Sequence, residues 1–254
     1  MLETILAVKK QEIDTLFLPE EQTFPHYSLY DSLKSSNHKA GLIAEVKKAS
    51  PSKGIIRGDF NPVKIARDYT QAGAHALSVL TDQHFFQGHR DYLTMIKKVV
   101  DVPVLRKDFI IDSLQVAESA YIGADAILLI GEALEATKLH ELYNQAHELG
   151  MEVLVEVHSE ETLEKVLNEF TPQILGINNW NLHTFETDLS QTERMAKFTP
   201  EECLLVSESG ISSHQDLLQV AKYGAEGILV GESLMRQENI KDAVRQLLEG
   251  VNVS

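Results

Sequence analysis

The sequence predicts an α/β protein, a closed (βα)8 barrel of the TIM type with an N-terminal helical extension. Eight short apolar runs recur along the chain, and the segments between them have helical spacing. Most of the runs are continuously apolar, which is typical of parallel strands buried on both faces. A doubly wound open sheet alternates in the same way, but eight units in 254 residues, without a GxGxxG sequence after the first strand, favour the barrel.

Residues 1–40 precede the first predicted strand and form the extension. An amphipathic helix is predicted near its start from the spacing of Ile5, Val8, Ile13 and Leu16. Pro19 and Pro25 then break the chain into a loop. Because no interdomain linker is visible and the length fits a barrel, we expect one domain over residues 1–254.

The eight predicted strands are rich in leucine and β-branched residues. In chain order they run from Gly41 to Lys47, Ala76 to Thr81, Val102 to Lys107, Ala126 to Ile130, Val153 to Val157, Ile174 to Asn178, Leu204 to Glu208 and Gly227 to Val230. Three of the strands follow a short repeat, GAHA, GADA or GAEG, which begins at Gly73, Gly123 or Gly224. A glycine at this place predicts a left-handed cap on the preceding helix.

Charge and composition exclude several classes of partner. The chain has 23 Lys+Arg and 38 Asp+Glu, a formal net charge of −15, whereas nucleic acids and anionic membranes attract basic surfaces. Its longest apolar runs are about five residues, and a membrane span needs roughly twenty. The single cysteine, Cys203, fits a reducing compartment. We expect a cytoplasmic monomer that binds a small anionic substrate through a local cluster of positive charge.

Polar side chains end several of the buried strands, where barrels of this kind place their catalytic groups. Glu45 and Lys47 end the first strand and, being two residues apart, share one of its faces. Later strands end in Lys107, Glu156, Asn178 and Glu208. Two structural ion pairs, Glu45 with Lys47 and Lys107 with Glu156, are the alternative, because a buried charge must be paired or used. Polar ends on five strands at once favour catalysis.

Glycine-bearing turns follow the last two strands. Ser207 to Ser212 (SESGIS) and Gly231 to Ser233 (GES) lie where barrels often bind phosphate through backbone N–H groups. A helix cap at Ser212 or Ser213 would explain the serines alone, but the two turns together favour a phosphate site. The loop from Ser50 to Gly54 adds Lys53, which can meet an anion as a point charge.

The sequence contains no motif for a metal ion or an organic cofactor. The ten histidines do not occur as HExxH, and one cysteine cannot build a thiolate site. Walker and GxSxG sequences are absent as well. We therefore expect chemistry without metal or cofactor.

A set of longer motifs extends over nearly the whole chain. They are Ile43 to Gly54 (IAEVKKASPSKG), Ser78 to Thr81 with Phe86 and Gly88, Leu105 to Ile110 (LRKDFI), Glu156 to His158, Gly176 to Asn179, and Ser207 to Ile211. In these motifs the chain resembles the indole-3-glycerol phosphate synthase family, for which the EVKKASPSKG and RKDFI strings are specific. The resemblance implies a barrel enzyme of tryptophan biosynthesis, a carboxy-lyase that needs no cofactor. Its reaction closes the indole ring of 1-(2-carboxyphenylamino)-1-deoxyribulose 5-phosphate and releases carbon dioxide and water.

The resemblance also implies roles for individual residues. Lys107 matches the general acid, and Glu156 matches the group that takes or gives a proton during dehydration. Lys47 looks like a lysine that binds the carboxylate and transfers protons, with Glu45 orienting it and Asn178 bonding the substrate hydroxyls. Phe86, Phe109 and Leu128 match the apolar walls, and Ser209, Gly210, Gly231 and Glu232 match the backbone donors to the phosphate. Further substrate-binding positions are Ser50, Lys53 and Glu208.

The implied role of Lys107 as a general acid is at odds with the pKa of an ordinary lysine. Free lysine, with a pKa of about 10.4, holds its proton too tightly to be a good acid at neutral pH. Burial or a neighbouring cation lowers this pKa. We therefore expect Lys107 to share a cavity with a second lysine and to have a lowered pKa.

One position departs from the family pattern. After Asn178 and Asn179 the family commonly has Arg, whereas this chain has Trp180, its only tryptophan, followed by Asn181 and Leu182. An indole ring can stack on an aryl ring but cannot neutralise an anion. The hypothesis is that Lys47 and Lys53 supply the positive charge near the substrate carboxylate. Packing of Trp180 within its loop is the alternative.

Two other functions are alternatives to this reading. Phosphoribosylanthranilate isomerase, another phosphate-binding barrel enzyme, would be expected to use a cysteine and an aspartate, but Cys203 begins the seventh strand, at the opposite end of the barrel from a catalytic site. A barrel that only binds a phosphorylated metabolite would be expected to have lost Lys107 or Glu156, and both are present.

Overall fold

The computed structural model describes residues 1–180 and 186–250, and within these residues eight parallel strands close into a barrel. Each strand pairs with the next in the sequence, and the last pairs with the first through Gly41 opposite Gly227. The strands are β1 (Gly41–Val46), β2 (Ala76–Leu80), β3 (Val104–Lys107), β4 (Ala126–Ile130), β5 (Glu152–Val157), β6 (Ile174–Asn178), β7 (Leu204–Glu208) and β8 (Gly227–Val230). The predicted barrel is therefore confirmed.

The predicted strand limits differ from the observed ones by two residues or fewer. The largest difference lies in β3, which begins at Val104 rather than at Val102. Pro103 has no N–H and cannot donate a hydrogen bond to a neighbouring strand. Its carbonyl oxygen does accept a hydrogen bond from the N–H of Leu77, at 2.9 Å.

Helices follow the strands in the order that the spacing predicted. They are α1 (Leu2–Asp14), α2 (Leu29–Lys34), α3 (Pro62–Gln71), α4 (Arg90–Lys97), α5 (Ser113–Tyr121), α6 (Ala136–Glu148), α7 (Glu160–Glu169), α8 (Ser190–Ala196), α9 (His214–Lys222), α10 (Glu232–Met235) and α11 (Ile240–Glu249), with a 3-10 turn at Gly131–Ala133. Gly73, Gly123 and Gly224 follow α3, α5 and α9 with φ of 104°, 91° and 104°, which confirms the left-handed caps. Ser213 accepts from the N–H of Asp216 and so caps α9, as considered above.

The N-terminal extension differs in part from its prediction. Helix α1 ends at Asp14, so Leu16 lies beyond it, and the sequence reasoning missed α2. Leu29 and Leu33 of α2 are fully buried against the side chains that fill the barrel interior. Leu33 lies so close to Gly41 and Gly227, the first residues of β1 and β8, that a Cβ on either glycine would press against it. Helix α2 thus closes the N-terminal end of the barrel.

Apolar side chains form two layers of core. One fills the barrel interior, with Ile43, Leu105, Leu154 and Leu204 among its members. The other lies between the strands and the surrounding helices. With α2 closing one end, the C-terminal ends of the strands remain as the open end. None of the helices in the described ranges has the length and the apolar composition needed to cross a membrane.

Candidate active site

A cavity of about 520 Å³ opens at the C-terminal ends of the strands. All the site residues named from the sequence line it: Glu45, Lys47, Ser50, Lys53, Phe86, Lys107, Phe109, Leu128, Glu156, Asn178, Glu208, Ser209, Gly210, Gly231 and Glu232. They come from β1, β3, β4, β5, β6 and β7 and from the loops that follow the strands. The barrel brings them together because parallel strands all end at the same rim.

Lys107 lies at the centre of the charged groups. Its Nζ is 2.8 Å from Glu156 Oε2 and 3.0 Å from Glu208 Oε2. Lys47 forms a separate ion pair with Glu45 on β1. Both pairs considered from the sequence therefore exist, but Glu208 is a second carboxylate on Lys107. A purely structural pair would not need this second buried anion, since each one adds a desolvation penalty.

The expectation of a lowered pKa for Lys107 is wrong. Burial alone lowers the pKa of Lys107, but the carboxylates of Glu156, Glu208 and Glu45 outweigh burial and raise it above its ordinary value. The sequence could not show this, because Glu208 is about a hundred residues away from Lys107 and meets it only in the closed barrel. Lys107 is therefore protonated at neutral pH.

The pKa values of the two carboxyl groups on Lys107 are shifted in opposite directions. Burial raises the pKa of both, but Lys107 and His158 together hold the pKa of Glu156 well below its usual range. For Glu208, burial and the negative charge of Glu156 raise the pKa above that of an ordinary glutamate. Two buried carboxylates close to one cation cannot both ionise easily, so Glu208 is the one that retains a proton.

Two glycines make space for the buried carboxylates. A Cβ on Gly176 of β6 would overlap Glu208 Oε1, and a Cβ on Gly231 after β8 would overlap Glu45 Oε2. The sequence reasoning assigned Gly231 only to phosphate and did not select Gly176 as a site residue. The available signal was a glycine inside an apolar strand, which often marks a close approach by another group.

His158 is a cavity residue that the sequence reasoning included in a motif but gave no role. Its Nε2 is 2.8 Å from Glu156 Oε1, and its Nδ1 is 3.2 Å from the backbone oxygen of Trp180. Burial lowers the pKa of His158, but the bond and charge of Glu156 raise it to about 9. Asn181 and Leu182, which follow Trp180 where the chain departs from the family pattern, lie outside the described residues.

Aromatic and aliphatic groups form one side of the cavity. The rings of Phe86 and Phe109 have centroids 6.0 Å apart, and Leu128 lines the same cavity. Leu2 and Ile5 of α1 also line it, which the sequence reasoning did not anticipate. The signal for Ile5 was its place on the predicted amphipathic face of the first helix.

The opposite side offers backbone donors rather than free cations. Ser209 and Gly210 have positive φ, 67° and 79°, and so turn the chain sharply after β7, while Gly231 precedes the short helix α10. Arg236 lines the cavity but bonds Glu232 Oε1 at 2.8 Å. Successive backbone N–H groups in such turns form concave sites for anions.

Most of the positive charge expected around the cavity is paired within the described residues. Four lysine and arginine cations line it, Lys47, Lys53, Lys107 and Arg236, with five carboxyl groups, Glu45, Asp108, Glu156, Glu208 and Glu232. Three of these four cations form ion pairs with carboxyl groups. Lys53 and the backbone donors therefore remain for an anion, while the protons that Glu208 and His158 retain reduce the negative charge around it.

Comparison with known proteins gives one consistent family. The family model described as indole-3-glycerol phosphate synthase matches residues 2–247. The chain is similar to the protein of that name from Halalkalibacterium halodurans, 55% identical over 254 residues, with 100% of this chain and 99% of the relative covered. It is 62% identical over 247 residues to the protein of that name from Priestia megaterium, with 97% of each chain covered.

Solved structures show the same fold at low identity. One is 3-hexulose-6-phosphate synthase from Salmonella typhimurium, with a TM-score of 0.65 and 13% identity, covering 82% of this chain and 97% of that one. Another is N-acetylmannosamine-6-phosphate 2-epimerase from Clostridium perfringens, with a TM-score of 0.63 and 15% identity, covering 84% and 93%.

Proposed function

This chain belongs to the indole-3-glycerol phosphate synthase family, and we propose that the groups around Lys107 carry out the family's ring closure in it. The protein is a carboxy-lyase of tryptophan biosynthesis, and its substrate is 1-(2-carboxyphenylamino)-1-deoxyribulose 5-phosphate. The observation that carries the proposal is the position of Lys107. It is bonded to two buried carboxylates, at 2.8 and 3.0 Å, between an apolar wall and two glycine-bearing turns.

The two sides of the cavity match the two ends of this substrate. We place the aromatic ring between Phe86, Phe109 and Leu128, and the phosphate at the turns of Ser209, Gly210, Gly231 and Glu232. Ser50 and Lys53 approach from the short hairpin Ala49–Ser50 and Gly54–Ile55, and both line the cavity. A volume of about 520 Å³ falls within the usual range for a small-molecule site.

In the ring-closing step, the aromatic carbon that bears the carboxylate bonds to the ketose carbonyl carbon. The carbonyl oxygen becomes an alkoxide as this bond forms, and Lys107 donates a proton to it. The raised pKa of Lys107 makes it a weak acid toward water, but an alkoxide is more basic than an amine. Proton transfer therefore becomes favourable only as the new bond forms, as general acid catalysis requires.

Loss of carbon dioxide and water completes the reaction. The carboxylate, held by Lys47, leaves as carbon dioxide and returns its electron pair to the ring. The new hydroxyl leaves as water after it takes a proton from Lys47, and Glu156 removes a proton from the adjacent methylene carbon. Glu156 can return this proton to Lys107, since their polar atoms are 2.8 Å apart. Two protons are given and one is taken, so one is consumed, which matches the carboxylate charge lost.

The direct test is the Lys107→Ala variant. We expect it to abolish turnover, because a positioned proton donor contributes roughly 10²–10⁴-fold to rate. The measurement is the rise of indole absorbance and fluorescence when purified protein meets the ribulose phosphate substrate. Lys98→Ala, at an exposed position on the outer surface, is the matched control. Retained activity in Lys107→Ala with an unchanged circular dichroism spectrum would contradict the assigned role.

A further inference from the structure

His158 directly follows β5 and is held in place by contacts from three other parts of the chain. Its backbone N–H donates to Glu132 Oε1 at 2.8 Å in the 3-10 turn after β4, and its backbone oxygen accepts from Gln191 Nε2 at 3.0 Å in α8. Its ring bonds Glu156 and the backbone oxygen of Trp180 in the loop after β6. Only about 10% of its side chain is exposed. The imidazole therefore has one position, beside Glu156.

The partners of the ring determine how many protons it shares with Glu156. The backbone oxygen of Trp180 can only accept, so Nδ1 must carry a hydrogen. Nε2 lies 2.8 Å from a carboxylate oxygen, and a bond between these two atoms needs one more proton. The other oxygen of Glu156 accepts from the Lys107 ammonium, which favours the ionised carboxylate. The shared proton then resides on Nε2, and the ring is an imidazolium.

We propose that His158 is a positioning residue for Glu156: its doubly protonated ring fixes Oε1, so that Oε2 stays on Lys107 beside the substrate, and ties the loop after β6 to the same carboxylate. The proposal rests on the function proposed above. A neutral ring has only one N–H and could donate to only one of its two partners, so either Glu156 or the loop after β6 would lose its bond to the ring. In either case the ring would no longer connect Glu156, the base, to this loop.

Other charged groups near the ring agree with this assignment. Burial lowers the pKa of the ring, but Glu156 on β5 and Glu132 in the turn after β4 outweigh burial and help to raise the pKa to about 9. The cation Lys107 bonds the other oxygen of Glu156, and Glu208, a carboxyl that retains its proton, bonds Lys107 in turn. Both ring bonds should therefore persist through neutral pH, and one of them should be lost as the pH rises through about 9.

The first test is the pH dependence of turnover in His158→Gln. We expect wild-type kcat to fall as the pH passes about 9. His158→Gln should lose this alkaline limb, because glutamine does not titrate, and its kcat at neutral pH should be about tenfold lower, with KM within about twofold. His140→Gln is the matched control, because His140 lies 3.4 Å from Glu169 but on an outer helix. A His158→Gln enzyme with wild-type kcat and an unchanged alkaline limb would overturn the proposal.

The second test does not depend on activity. In protein labelled with ¹⁵N-histidine, the His158 ring should titrate with a pKa of about 9 by nuclear magnetic resonance, and lower in Glu156→Gln. A ring that titrates at the ordinary value of about 6.5 would overturn the proposal even if the variant loses activity through misfolding. A wild-type protein that makes no indole product would refute the proposed function instead. The titration of the ring would still show whether His158 and Glu156 share a proton.

Discussion

At the scale of single residues, Glu208 shows how one carboxylate changes the chemistry of its neighbours. It is 1% exposed and shares Lys107 with Glu156, and Oε1 has no hydrogen-bond partner among the described residues. Because it keeps its proton more easily than Glu156, it relieves part of the repulsion between two buried anions. Above its own raised pKa it becomes an anion that, with Glu156 and Glu45, raises the pKa of Lys107, whereas the sequence led us to expect a lowered one.

Glu208→Gln should change how stability depends on pH. Between the ordinary glutamate pKa and the raised pKa of Glu208, the folded chain keeps a proton that the unfolded chain has lost. Stability of the wild type therefore contains a contribution that falls as the pH rises through this window. Glutamine has nearly the same size and no charge, so the variant should lack this contribution.

Thermal unfolding from about pH 5 to about pH 8 provides the measurement, with the Tm of the variant relative to the wild type expected to rise with pH. Glu156 does not affect this comparison. Its pKa is lowered, so its contribution to stability is lost only at pH values below the ordinary glutamate pKa. A Tm difference that stays constant over this range would contradict a raised pKa for Glu208.

Trp180 is the second residue with a consequence of its own. It lines the cavity, its backbone N–H donates to Asn178 Oδ1 at 3.0 Å, and its backbone oxygen accepts from His158. These contacts use the main chain and would survive a change of side chain. Trp180→Arg should therefore add a cation near the substrate carboxylate and lower KM. The measurement is steady-state kinetics, and an unchanged or higher KM would contradict the hypothesis.

At the scale of elements, α1 is attached to the catalytic end of the barrel by a buried lysine. Lys9 Nζ is 2.7 Å from Asp82 Oδ2 and 2.9 Å from Asp108 Oδ1, and its side chain is 3% exposed. Asp82 also accepts the backbone N–H of Phe86, and Asp108 accepts that of Phe109. The same two carboxylates thus hold the helix and the two aromatic residues of the cavity wall.

Lys9→Met should destabilise the protein and loosen the aromatic wall. Burial lowers the pKa of Lys9, but the nearby carboxylates raise it above its ordinary value, so the residue is charged. Removing one member of a buried ion pair leaves unpaired charge and costs about 3–5 kcal/mol. We expect a lower free energy of unfolding in urea, and a higher KM. Lys10→Met, at the exposed neighbouring position, is the control, and equal stability of the two variants would contradict this attachment.

At the scale of the whole molecule, the net charge of −15 and the cavity have to be considered separately. The acidic total argues against polyanionic partners, as the sequence indicated. Within the cavity Lys47 and Lys107 are both paired, so carboxylates offset their charge locally. Lys53, the backbone N–H groups and the protons retained by Glu208 and His158 make the cavity less acidic than the whole molecule, and this arrangement suits one small anion at a fixed place.

The barrel, the order of its strands and the residues that line its open end were all predictable from the sequence. Local signals sufficed for this, because strand composition, glycine caps and polar strand ends depend on neighbours in the chain. Strand limits were accurate to within two residues, whereas α2 was missed, since six residues carry too little periodicity.

The electrostatics of the site depend on contacts that exist only in the folded barrel. Lys107 meets Glu208, Glu156 meets His158, and Gly176 leaves space for Glu208, all through contacts between strands and around the barrel. A pKa depends on the burial of a group and on the charges within a few ångströms of it. Neither can be obtained from sequence spacing, so the residues that line the cavity were predictable while their protonation was not.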